Sequence, residues 1–174
     1  MNKNLTAAQS DYAYFLPATS GFYSTYIGKQ RYSNYVDPSR IPASFGPMGI
    51  EAMNYLNPNA AFYFDHCLYS AGHANLDLTK QDWSEDMVRS RDPKTLMLGD
   101  SGGFQIAKGL WEGDWKANSG CPRAQKRREA VVKWLDGICD YGMTLDIPTW
   151  VIHDKNASEK CGIKTLQEAV DATK

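Results

Sequence analysis

The chain has 174 residues, of which 43% are hydrophobic and 22% are charged, and its formal net charge is −1. This length and composition are typical of one globular domain with a real core, and they exclude a largely disordered chain. The small net charge excludes a protein that binds nucleic acid through a strong overall positive field. The sequence shows neither a secretory leader nor an apolar run long enough to span a membrane, so we expect a cytoplasmic protein.

The first 49 residues are rich in Tyr, Ser, Gly and Pro. The stretch "SGFYSTYIGKQRYSNY" alternates aromatic and polar residues, which predicts short antiparallel strands. We therefore expect residues 1–49 to form a strand and loop segment that packs on the remainder of the fold, residues 50–174. A short helix is predicted over residues 49–56, before the turn "NPN".

Three short apolar runs follow, at residues 60–64, 95–98 and 142–145, and they end next to Asp65, Asp100 and Asp146. Apolar runs without polar alternation are typical of parallel strands that are buried on both faces. Because the carboxyl ends of parallel strands meet at one edge, we expect the three carboxylates to converge there. Each aspartate also fits a helix cap or a turn, so the prediction depends on all three occurring together.

The segments between these runs predict helices. Pro122 suits a first helical turn, and Val131, Leu135 and Ile138 then form one apolar stripe. A further helix is predicted over residues 158–174. This alternation predicts an α/β fold, either a parallel sheet or a (β/α)8 barrel of the TIM type. A complete barrel takes about 250 residues, so we expect this chain to be the N-terminal half of a longer or split enzyme.

The string "GDSGG", from Gly99 to Gly103, allows several interpretations. A trypsin-like protease is disfavoured, because Phe104 stands where that motif carries proline and His73 is too close in sequence for a double β-barrel. A nucleophile elbow of the α/β-hydrolase type remains open, with Ser101 as nucleophile and Asp146 and His153 as partners. The third interpretation makes Asp100 the reactive residue.

The longer string "DSGGFQ", from Asp100 to Gln105, closely resembles the signature of the guanine transglycosylase family. These enzymes exchange guanine for a 7-deazaguanine in nucleic acid. Downstream, "GICDYGMTLDIP" is similar to the second family motif, in which Met143 and Asp146 match. The resemblance covers about residues 95–174.

The resemblance implies a role for each matched residue. Asp100 would handle protons at the reaction centre, and Asp146 would recognise the Watson–Crick edge of guanine. Phe104 would stack on the base, and Gln105 would add a hydrogen bond nearby. Ser101, Gly102 and Gly103 would allow the backbone to approach the base closely. Asp65 and His66 are further candidates at the mouth, although a turn aspartate and a structural histidine are the favoured interpretation.

Other parts of the family pattern are absent from this chain. The segments typical of the tRNA enzymes, "TPxFMPVGT" and "NTYHL", are not found. Their absence favours the branch that modifies DNA, which occurs in phages, and would then place the protein in the host cytoplasm. By resemblance, the aspartate nucleophile and a structural zinc site would lie beyond residue 174.

We expect no metal site and no cofactor in this chain, because its four widely spaced cysteines form no C-x-x-C pair. The expected partners are DNA or tRNA and a guanine-like base, together with a second copy or a partner subunit. A non-catalytic subunit that binds nucleic acid is the remaining alternative.

Overall fold

The computed structural model describes residues 16–173, which form a mixed α/β fold around a small open parallel sheet. The sheet has three strands in the order β1 (His66–Ser70), β2 (Leu96–Asp100) and β3 (Tyr141–Gly142). Residues 17–19 run parallel to β1 on its other side, where the Thr19 N–H donates to the Leu68 carbonyl at 2.8 Å. The α/β class is confirmed, and a closed barrel is not present among these residues.

Six α-helices surround the sheet in the described part of the chain. In chain order they are α1 (Gly21–Gln30), α2 (Asp86–Arg89), α3 (Gly103–Ala107), α4 (Pro122–Ile138), α5 (Lys155–Cys161) and α6 (Leu166–Ala172). Short 3₁₀ segments occur at Pro38–Arg40, Ala43–Met53, Trp83–Glu85 and Thr149–His153.

Helix α4 confirms the apolar stripe predicted from the sequence. Pro122 is the first residue of the helix, and the side chains of Val131 and Trp134 on the helix are buried in the core. The helix lies so close to β2 that a Cβ on Gly99 would come within 2.4 Å of Leu135 and 2.5 Å of the Cys139 sulfur. Glycine at this position therefore allows the close packing of α4 on the sheet.

The two faces of the sheet differ in burial. Cys67, Tyr69 and Met97 point to one face, where α1, α2 and α4 bury them almost completely. Leu68 and Leu98 point to the other face and are only partly buried. Since side chains alternate along a strand, Asp100 lies on the same partly open face as these leucines. A second core cluster joins α3, α5 and α6 around Ile106, Trp115 and Cys161.

The prediction of antiparallel strands in the N-terminal segment is wrong for residues 21–30, which form α1. Ser20 caps this helix by accepting a hydrogen bond from the Tyr23 N–H at 3.0 Å. Ile27 is buried in the core, whereas Phe22 is mostly exposed, so the burial follows a helical period rather than an alternating one. Residues 1–15 of the predicted segment lie outside the described residues.

Two further boundaries are corrected. The run at residues 60–64 is not a strand but part of a series of turns and bends, and β1 begins only at His66. The single helix predicted over residues 158–174 is two helices, because Gly162 adopts a left-handed conformation with a φ of 79° and ends α5. Thr165 then starts α6 with a capping box to Glu168.

The third strand is shorter than predicted, because only Tyr141 and Gly142 pair with β2. The chain continues to Asp146 without further strand pairing in the described structure. None of the described helices has the length and apolar character needed to cross a lipid bilayer.

Candidate functional site at the carboxyl edge of the sheet

Asp100 is the last residue of β2 and is held by the neighbouring strand. It stands in register with Ser70, the last residue of β1. The Ser70 hydroxyl donates a hydrogen bond of 2.5 Å to Oδ2 of Asp100, and it accepts one of 3.1 Å from the Gly72 N–H. Among the described residues, no group donates a hydrogen bond to Oδ1 of Asp100. The carboxylate is therefore oriented through Oδ2.

Asp146 is hydrogen-bonded to Ser101, the residue that follows Asp100 in the chain. The hydroxyl of Ser101 donates a hydrogen bond of 2.8 Å to Oδ1 of Asp146. Ser101 is completely buried, whereas Asp146 is exposed. Asp146 is therefore held at the carboxyl end of β2, by the residue that follows Asp100.

Gly103 is required by this contact between two chain segments. A Cβ at Gly103 would lie 1.6 Å from the carbonyl oxygen of Asp146, a distance that no side chain can occupy. Gly102 is left-handed, with a φ of 81°, and a Cβ there would lie 2.6 Å from the ring of Trp111. Packing and backbone conformation within the protein therefore require both glycines, independently of the close approach to a base that the resemblance implies.

Phe104 and Gln105 occupy opposite environments on α3. The side chain of Phe104 is 53% exposed, whereas Gln105 is buried. The amide of Gln105 lies against Gly72, and its Oε1 atom is buried without a hydrogen-bond partner in the described part of the chain. Phe104 is therefore accessible to a ligand, and Gln105 mainly fixes α3 against the loop after β1.

Asp65 and His66 do not belong to this group, so their predicted position at the mouth is corrected. His66 is the first residue of β1 and pairs with Leu96, the first residue of β2. Four residues of strand separate His66 from Ser70, which is about 13 Å along the sheet. Asp65 instead forms a contact of 2.6 Å with Nδ1 of His66 at the opposite edge. The prediction failed because the strand begins after Asp65 rather than ending before it.

A cavity of about 680 Å³ lies beside the motif, between α4, the chain after β3 and the end of α6. Ser101, Trp111 and Met143 are among its lining residues, and Asp100 is not. Burial raises the pKa of the Cys139 thiol in its wall to about 12. This thiol is therefore protonated and unreactive at neutral pH. Asp100 therefore lies outside this cavity, at the carboxyl end of β2.

The geometry does not suit the hydrolase interpretation of "GDSGG". A serine nucleophile needs a histidine that accepts its proton. The Ser101 hydroxyl instead donates directly to Asp146, and it is inaccessible to solvent. No residue other than glycine has a positive φ in residues 16–173, so Ser101 lacks the strained conformation of a nucleophile elbow.

The described residues contain no group of three or more His, Cys, Asp or Glu side chains that could hold a metal ion. Sequence reasoning missed Ser70 and Gly72, which orient Asp100 and accommodate Gln105. A strand assigned to "HCLYS" rather than to residues 60–64 would have placed Ser70 at a strand end. The chain matches no protein-family model, and neither a curated protein nor a solved structure is significantly similar to it.

Proposed function

We propose that this chain belongs to a base-exchange transglycosylase that replaces guanine in nucleic acid by a 7-deazaguanine. The observation that carries the proposal is the hydrogen bond between Ser101 and Asp146. It joins the "DSGGFQ" segment to the second matched aspartate at the carboxyl edge of a parallel sheet. Parallel α/β folds bind their ligands at this edge.

The proposed reaction uses the two aspartates for different tasks. The bond between C1′ of the sugar and N9 of guanine breaks, and a carboxylate other than Asp100 and Asp146 attacks C1′ to form a glycosyl ester, as in retaining glycosidases. The incoming base then attacks C1′ through N9, loses the proton at N9 and releases the carboxylate. Asp100 would give one proton to the leaving guanine and take one from the incoming base, so that the protons balance.

Asp146 is proposed to recognise the base. A carboxylate can accept hydrogen bonds from both N–H donors on the Watson–Crick edge of guanine, which no neutral side chain matches in strength. Ser101 holds one carboxylate oxygen of Asp146, and the exposed position of Asp146 leaves room for a base. Phe104, with its exposed ring, would stack on the same base.

The fold assigned to the whole enzyme is a (β/α)8 barrel, of which the three parallel strands would be a part. The support is the unequal burial of the two sheet faces. Helices cover the face of Met97, as on the outside of a barrel, and the face of Leu98 and Asp100 remains partly open. In a closed barrel this second face would point to the interior. We propose DNA rather than tRNA as the polymer, because the segments typical of the tRNA enzymes are absent.

The proposal is tested by incubating the full natural protein with radiolabelled guanine and either duplex DNA or tRNA. Label should enter one of the two polymers. Asp100→Asn should lower incorporation at least about 100-fold, since general acid–base catalysis contributes that much or more. Asp65→Asn, at the opposite edge of the sheet, is the matched control and should retain activity. Equal incorporation by wild type and Asp100→Asn, or labelling of Ser101 by a serine-reactive phosphonate, would contradict the proposal.

A further inference from the structure

Phe104, Lys108 and Trp150 form an aromatic and cationic cluster beside the candidate site. Phe104 follows the motif glycines on α3, and Trp150 lies in the 3₁₀ segment Thr149–His153, shortly after Asp146. The ring centroids of Phe104 and Trp150 are 6.4 Å apart, and their planes are inclined by 64°. The Lys108 ammonium lies 5.5 Å from the Phe104 centroid and 5.0 Å from that of Trp150.

Packing alone does not account for this cluster. Phe104 leaves 53% of its side chain in solvent, although the three residues after it on α3 are buried. Lys108 is exposed and forms no ion pair among the described residues, so its charge is available to an anion. An exposed phenylalanine and a partly exposed tryptophan beside a lysine supply the stacking surface and positive charge that sites for single-stranded nucleic acid combine.

The inclination of the two rings indicates how a polynucleotide would lie on them. Two rings whose planes differ by 64° cannot both stack on one flat base. Each ring would therefore stack on a different base. The ammonium lies at nearly equal distances from both rings, which suits the phosphate that joins two consecutive nucleotides.

We propose that Trp150 and Lys108 form a subsite for the nucleotide next to the one whose base is exchanged. Trp150 stacks on the neighbouring base, and Lys108 binds the phosphate between the two nucleotides. This inference rests on the proposed function, in which Phe104 stacks on the exchanged base. It adds that the substrate is unpaired and splayed over two consecutive nucleotides, in DNA or RNA.

The test measures binding of the full natural protein to fluorescein-labelled oligothymidylate and oligouridylate by fluorescence anisotropy. These probes contain no guanine, so binding is read independently of base exchange. Trp150→Leu, which removes the aromatic face, should weaken binding about tenfold. Trp150→Phe, which keeps an aromatic face, should stay within about threefold of wild type. Trp83→Leu removes an exposed tryptophan that stacks on Tyr32 beyond the end of α1, and should bind like wild type.

The contribution of Lys108 is read from the dependence of binding on salt. Lys108→Met should lower the slope of log affinity against log salt by about 0.7, the value for one phosphate contact on a single strand. Lys108→Arg should keep the slope. Because Lys108 is exposed, these variants keep the test valid even if Trp150→Leu, which alters a ring packed on the second core cluster, fails to fold.

Three outcomes would overturn the subsite: no binding of either probe by wild type, equal binding by the Trp150 variants, or an unchanged salt slope in Lys108→Met. If guanine exchange depends on Asp100 while the Trp150 and Lys108 variants bind both probes normally, only the subsite is wrong. If those variants bind weakly as expected but the wild type exchanges no guanine, the proposed function is wrong and the surface remains a nucleic-acid site.

Discussion

Substitution of Gly103 by alanine tests whether the contact between the motif and the Asp146 segment organises the site. The new Cβ would lie 1.6 Å from the Asp146 carbonyl oxygen, whereas ordinary contacts begin at 3.4 Å. One segment must therefore move by about 1.8 Å, and because the obstacle is backbone, no rotamer change relieves it. We expect a loss of about 3 kcal/mol in the free energy of unfolding, at the upper end of overpacking costs. The melting temperature should fall by about 6–12 °C.

The displacement should also break the hydrogen bond of 2.8 Å between Ser101 and Asp146, so guanine exchange should be lost in the protein that remains folded. Gly21→Ala is the matched control, because Gly21 is also the first residue of a helix, and the nearest neighbour of the added methyl carbon, His73 Cβ, would be 3.3 Å away. Its free energy of unfolding should change by less than about 1 kcal/mol. Equilibrium unfolding in urea measures both values. A loss below about 1 kcal/mol in Gly103→Ala would refute the reasoning.

Three further changes test other parts of the molecule. Ser70→Ala removes the donor to Asp100 and should reduce guanine exchange about tenfold in kcat, with the melting temperature nearly unchanged; an unchanged kcat would mean that Ser70 does not orient the carboxylate. Burial would raise the pKa of Glu51, but hydrogen bonds from Arg31 and other donors lower it below its ordinary value of 4.5. The ionised Glu51 carboxylate therefore stabilises the folded protein above pH 4.5, and this stabilisation is lost as the pH falls through the folded-state pKa. The difference in free energy of unfolding between wild type and Glu51→Gln should accordingly shrink in acid. A difference that does not change with pH would contradict the lowered pKa of Glu51. Backbone N–H groups at the start of α4 lower the pKa of Cys121, so iodoacetamide should label this thiol before the other cysteines. Cys121→Ser should abolish the fast phase of iodoacetamide labelling. A fast labelling phase that persists in this variant would place the reactive thiol elsewhere.

The parts of the fold that follow from local patterns could be predicted from the sequence. Helix α4 has a proline at its first position and an apolar stripe over several turns, so its period is unambiguous. Strand β2 is recognisable because an apolar run leads directly into Asp100. Helix α1 is not, because its aromatic residues occur at spacings that fit both an alternating and a helical pattern, and only the burial of Ile27 distinguishes the two. Short elements of this kind depend on tertiary packing more than on their own sequence.

The candidate site could be predicted only in part, for a different reason. Asp100 and Asp146 follow apolar runs, so each could be found locally. Their orientation depends on the register between strands, which pairs Ser70 with Asp100 across about thirty residues of intervening chain. Register is set by the burial pattern of the whole sheet and by the connections between strands, so no local motif predicts it.

The two aspartates are held in the same way, and this similarity bears on the meaning of the serine in "GDSGG". Asp100 on β2 accepts a hydrogen bond from Ser70 on β1, and Asp146 after β3 accepts one from Ser101 after β2. In each case a serine hydroxyl at or just after the end of one strand holds a carboxylate from the chain segment that follows; Asp100 ends β2, whereas Asp146 lies four residues beyond the end of β3. Ser101 is buried and donates its proton to a carboxylate rather than to a histidine, which fits a positioning group for Asp146 and not an activated nucleophile. The contacts of "GDSGG" therefore fit the proposed carboxylate chemistry better than a serine nucleophile, because the serine holds a carboxylate and Gly103 lets two chain segments meet.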